Sequence, residues 1–130
     1  MTSVYVASKL ENWAAVQKFQ KKLLDRGLTI PHDWAALAER EFVYGDQVSE
    51  DLAAVQLATV RSVSCLVLLT PGGRGAHVEF GCALGAGVPT VVALDGITLC
   101  IDFYRQATAV VTGWNAAVRA VLELTGKTQT

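Results

Sequence analysis

Glu79 is the residue that fits its surroundings least. It lies near the start of a stretch, Ala76 to Gly87, made otherwise of His77 and of Ala, Val, Phe, Gly, Cys and Leu. An ionised carboxylate in apolar company costs several kcal/mol unless partners offset it. Two readings are open: a first-turn Glu stabilised by the helix dipole, worth about 0.3–1 kcal/mol, or a carboxylate aimed into a pocket as a nucleophile. Just before it runs Thr70-Pro71-Gly72-Gly73-Arg74-Gly75, a loop whose backbone can approach a ligand closely, with Gly73 and Arg74 as candidate contacts. It has neither the Gly-Lys-Ser/Thr of a Walker A loop nor a G-x-G-x-x-G pattern, so an ATPase or a dinucleotide oxidoreductase gains no support. His77 lies about 200° round a helix from Glu79, so the two do not share a face. It reads as a surface or packing histidine rather than an acid, and stays a candidate substrate contact. The histidines, His32 and His77, have no zinc-type spacing to further ligands, and neither a metal nor a cofactor is expected. Cys65, Cys82 and Cys100 form an odd set without CxxC spacing, which reads as reduced core thiols.

The elements that position these groups alternate between strand and helix. Ser3 to Ala7 reads as a strand, and Asn12 to Arg26 as an amphipathic helix with Trp13, Val16, Phe19, Leu23 and Leu24 at helical spacing. Gly27 sits where a C-terminal cap belongs, and Leu28 to Ile30 predicts a second short strand stopped by Pro31. From His32 to Ser49 the pattern weakens to a helical turn at Trp34 to Leu37 and a loop at Tyr44-Gly45-Asp46, so a mobile segment is expected there. Ser49, Glu50 and Asp51 start a helix whose inward stripe is Leu52, Val55, Gln56, Thr59 and Val63. Cys65 to Leu69 and Thr90 to Leu94 show no alternation, as in strands buried on both faces. The region after Asp95 is unassigned until a closing helix at Thr112 to Leu124, and the polar tail from Lys127 to Thr130 is expected to fray. The sum is an α/β chain with an open, doubly wound parallel sheet, a three-layer sandwich of the flavodoxin or Rossmann type.

In such folds ligands bind beyond the carboxyl ends of the strands. That edge gathers Ala7 to Asn12, His32 and Asp33, and Thr70 to Glu79, with Tyr5, Ser8, Lys9, Asn12, Asp33, Arg74, His77 and Glu79 as its polar residues. Of the tryptophans, Trp13 and Trp114 fit core stripes, which leaves Trp34 as the candidate ligand platform. Lys9 and Arg74 are solvated charges when taken singly, but together at a ligand edge they favour an anion.

The chain has 130 residues, 52% of them apolar, enough for one core over residues 1–130. A formal net charge of −1 with no basic run argues against a nucleic-acid partner. Apolar stretches such as Cys65 to Leu69 fall far short of the roughly 20 residues that span a bilayer, and the N-terminus lacks a signal-type core. A cytoplasmic protein without a membrane partner is the expectation.

The segment from Cys65 to Pro89, with Glu79-x-Gly81-x-Ala83 on its helix, resembles the signature of the nucleoside 2-deoxyribosyltransferase superfamily, which includes nucleoside 5′-monophosphate N-glycosidases. Val4 to Ser8 and His32-Asp33-Trp34 are similar to that family's first strand and to the segment after its second. The resemblance covers most of residues 3–94 and is loose beyond. It implies cleavage or transfer at an N-glycosidic bond, with Glu79 as nucleophile at C1′, Tyr5 orienting its carboxylate, and the residues near Ala7 and Ser8 holding the 5′ end of a nucleoside or nucleotide. It also implies a homo-oligomer. One position departs from the pattern: counting back from Val63-Ser64, Gln56 stands where the family commonly carries an Asp. A carboxamide cannot protonate a leaving base, so either Asp33 substitutes, or the substrate needs less help, or the chain is a nucleotide-binding module without turnover. A flavodoxin-like interaction domain without a nucleotide is the third alternative.

Overall fold

The computed structural model describes residues 2–44 and 52–127. Four parallel strands, β1 (Val4–Ala7), β2 (Cys65–Leu69), β3 (Thr90–Leu94) and β4 (Ala109–Thr112), lie in that order in one sheet. The register sets Tyr5 beside Leu66, Leu66 beside Thr90, and Val91 beside Ala109. Every residue of β1 and β2 is buried, the condition of strands covered on both faces. The covering helices are α1 (Trp13–Leu24), α2 (Trp34–Tyr44), α3 (Leu52–Ser62), α4 (Arg74–Gly85) and α5 (Trp114–Leu124). α4 packs over β1 to β3 against α3, and α5 packs over β2 to β4 against α1. The α/β sandwich with a doubly wound parallel sheet is therefore what the chain forms.

Four local expectations differ from the structure. Leu28 to Ile30 does not extend into a strand: only Thr29 bridges to Ser3, because Pro31 ends the run and has no N–H to continue a ladder. The Val6 carbonyl on that open edge is met instead by the Trp34 indole N–H at 2.6 Å. The helical turn expected after Asp33 is a full helix, α2, whose charged Glu39, Arg40 and Glu41 interrupt its apolar rhythm. On α3, Val55 is exposed and Val60 takes the buried position, so the inward stripe is rotated from the one the spacing gives. The start expected for this helix, at Ser49 to Asp51, and the Gly45-Asp46 loop lie outside the described residues. Finally, β4 occupies a region to which the spacing assigns no element. Its residues alternate between half-buried and exposed, as at a sheet edge, and Gly113 at φ 90° separates it from α5.

Candidate active site

At the carboxyl edge of β1 and β2 lies a cavity of about 470 Å³. Its walls include Tyr5, Ser8, Lys9, Trp34, Gln56, Gly73, Arg74 and Glu79, joined by Leu10, Glu11, Gly75 and Ala76. Eight of the candidates read from the sequence thus meet around one space.

The centre of the wall is a pair. Tyr5 leaves β1 on the face covered by α4, and its hydroxyl donates to Glu79 Oε2. Tyr5 is 0% and Glu79 8% exposed. Glu79 Oε1 has no hydrogen-bond partner among the described residues. Because α4 begins at Arg74 rather than Ala76, Glu79 falls in its second turn, beyond the reach of most of the N-terminal dipole. Burial governs its charge instead, pushing the carboxyl up to about 7, with the Tyr5 hydrogen bond pulling the other way. Tyr5 is driven up as well, first by burial and then by the charge of Glu79, so it stays a donor. On its far side the His32 ring stacks at 6.4 Å between centroids, 6° from parallel. Burial lowers the pKa of His32, against the opposing pull of Asp33.

The loops that bracket the pair are tied to each other. Ser8 Oγ donates to the Leu69 carbonyl at 2.9 Å and accepts from Asn12 Nδ2 at 3.0 Å, while the Lys9 N–H donates to the Pro71 carbonyl at 3.3 Å. The turn after β2 leaves little room beside Gly72. A Cβ on Gly72 would stand 3.1 Å from both Leu68 Cδ1 and His77 Cε1. Gly73 precedes α4 with no side-chain cap, so the first amides of that helix have no side chain closing them off from the cavity. At the rim, Lys9 Nζ stands 3.9 Å from Glu11 Oε2, with side chains 39% and 71% exposed. Gln56, on α3, makes no hydrogen bond among the described residues.

Three candidates are not among the lining residues. Ala7 is buried within β1. Asp33 is exposed and caps α2, accepting from the Ala36 N–H at 3.1 Å. His77 faces the segment between β3 and β4. Its Nδ1 lies 2.7 Å from the Gly73 carbonyl and its Nε2 2.8 Å from the Tyr104 hydroxyl. A carbonyl only accepts, so Nδ1 carries a proton toward Gly73. Conversely, Glu11 and His32 fall in the segments expected at the ligand edge, but the sequence assigns neither a role. The signal for Glu11 was its place two residues after Lys9; for His32, nothing in the sequence marks the stack on Tyr5.

No family model matches the chain, and no curated protein matches it. Among solved structures, it is similar to the Clostridium botulinum CMP N-glycosidase BcmB, with a TM-score of 0.61 over 92% of this chain and 98% of that one. The likeness is one of fold. At 12% identity the chemistry has to be argued from the residues of the cavity. Among the described residues no helix is long and apolar enough to cross a membrane, and no group of three or more His, Cys, Asp or Glu could hold a metal ion.

Proposed function

We propose that the protein is an N-glycosidase or N-glycosyl transferase acting on a nucleoside 5′-monophosphate. The observation that carries this reading is the Tyr5–Glu79 pair: a buried carboxylate at a cavity wall, with one oxygen held by a phenol and the other unengaged. Glu79 Oε1 attacks C1′ of the sugar as the base departs, and water or a second base resolves the glycosyl-enzyme with retention. Tyr5 fixes the carboxylate in line and favours its charged form. Lys9, Arg74 and the first amides of α4 hold the 5′-phosphate at the rim, and Trp34 bounds the base side. The similar fold of a CMP N-glycosidase supports the same class of bond. No cofactor enters this mechanism.

The test is free-base release from a panel of nucleosides and 5′-monophosphates. Glu79→Ala and Glu79→Gln are expected to lose activity by about 10³-fold or more while keeping the wild-type far-UV spectrum. A folded Glu79→Ala protein with near wild-type turnover removes the mechanism.

Self-association belongs to the same proposal. Ile97, Leu99 and Phe103, in the segment between β3 and β4, are 89%, 82% and 72% exposed, an apolar run that a second copy would cover. Light scattering should show an oligomer that Phe103→Glu dissociates; a wild-type monomer at micromolar concentration rules it out.

A further inference from the structure

Resting on the N-glycosidase reading, we propose that the cavity selects nucleotides whose base is a pyridinium-type cation, and that Gln56 is the specificity-determining residue that reads this base. Three arguments point the same way. Gln56 lines the cavity from α3 and also borders the small recess beside Trp34 and Leu37, with its carboxamide unengaged by any described residue. A carboxamide pairs with an amide edge by donating and accepting at once, yet it has no proton to give a leaving group. Among the described residues lining the cavity and this recess, the carboxyl groups are Glu79, held by Tyr5, Glu11, exposed and paired with Lys9 at the rim, and Glu41, exposed on α2.

The charge layout supplies the second argument. The inner wall presents a carboxylate at Glu79 and an indole at Trp34, and the rim presents Lys9, Arg74 and the amides that open α4. A pyridinium nucleotide is a zwitterion of the matching sense, cationic at the base and anionic at the 5′-phosphate. Cations are drawn both to a carboxylate and to an indole face. A neutral base has no use for the first of these attractions.

The chemistry supplies the third. A neutral base departs well only when an acid protonates it, an effect commonly worth 10²- to 10⁴-fold. A pyridinium base needs none. The C1′–N bond breaks with its electron pair passing to the ring nitrogen, which becomes a neutral pyridine, and Glu79 Oε1 bonds to C1′. Water then adds to C1′, displaces the carboxylate and gives its proton to solvent. Pyridinium nucleotide plus water yields the free pyridine, the pentose 5-phosphate and one proton.

Nicotinamide ribonucleoside 5′-monophosphate is the probe, set against the 5′-monophosphates of cytidine, uridine, adenosine and inosine. Base release is followed by chromatography, and proton release by an indicator dye in weak buffer near pH 7.5. The expected result is a kcat/KM for the pyridinium probe at least 10²-fold above each neutral-base nucleotide, with one proton released per turnover. Gln56→Asp is expected to narrow that preference by about 10²-fold, chiefly by raising turnover of the neutral-base nucleotides. Equal or faster cleavage of a neutral-base nucleotide by the wild type overturns the inference and leaves the N-glycosidase reading standing. An unchanged preference in a folded Gln56→Asp protein overturns the role given to Gln56. Absence of base release from every probe removes the N-glycosidase reading itself, and this inference with it.

Discussion

Two sides of one cavity handle charge in opposite ways. At the wall, Glu79 and Tyr5 are 8% and 0% exposed, and burial raises the pKa of the carboxyl to about 7. At the rim, Lys9 and Glu11 face each other across 3.9 Å with side chains 39% and 71% exposed, where water and salt screen the pair to about 0–1 kcal/mol. Proximity alone therefore does not make a group reactive. What separates the two sides is the removal of water by β1, α2 and α4, which concentrates the cost of a charge, and so its chemical use, on a single carboxylate.

Removing that charge should produce the largest contrast. For Glu79→Gln, beyond the loss of turnover, the folded protein should gain stability at neutral and higher pH. The folded pKa of about 7 lies above the ordinary value of 4.5, so the native state holds a proton that the unfolded chain releases. Wild-type stability from this group is full below about pH 4.5 and falls as pH rises through 7. The variant escapes that decline, and at pH 8 it should be more stable by about 3 kcal/mol. Urea denaturation at pH 4.5 and pH 8 measures it; an equal difference between the two proteins at both pH values would show that burial does not govern the carboxylate.

Tyr5→Phe comes next. Without the phenol the carboxylate loses the hydrogen bond that favours its charged form, so the midpoint of the rising pH–rate profile moves from about 7 to higher pH. The rate at neutral pH falls by about 10- to 10²-fold. A lower rate with an unmoved midpoint would assign Tyr5 to packing alone.

The rim should answer differently. Lys9→Ala is expected to raise KM for a 5′-monophosphate by about 10-fold with a smaller change for the matching nucleoside, and to alter stability by less than about 0.5 kcal/mol. Equal KM changes for both substrates would detach Lys9 from the phosphate.

Much of this contrast is legible in the sequence, for a physical reason. Glu79 stands out because its segment, His77 apart, is otherwise small or apolar, and the unbroken runs Cys65–Leu69 and Thr90–Leu94 mark the central strands of the sheet. The β4 strand is harder to read, since a half-exposed edge strand of four residues carries too short an alternation to separate from a loop. α2 is masked by its own charged residues. The roles of His77 and Asp33 depend on which way a side chain turns: Asp33 toward the Ala36 amide of its own helix, His77 toward Tyr104, 27 residues along the chain. The stack of His32 on Tyr5 is likewise a tertiary event. Spacing fixes a face of a helix, but the partner waiting on that face belongs to another part of the chain.

Trp34, which satisfies the Val6 carbonyl and walls the cavity, also makes the site optically addressable. The remaining tryptophans lie elsewhere: Trp114 meets Phe19 edge-on beside Lys22, and Trp13 packs against the core. Replacing Trp13 and Trp114 by phenylalanine leaves a chain with one tryptophan, set in the wall of the cavity. Its emission then follows occupancy of the cavity in real time, in the presence of Glu79→Gln and without any turnover, so binding can be timed separately from chemistry.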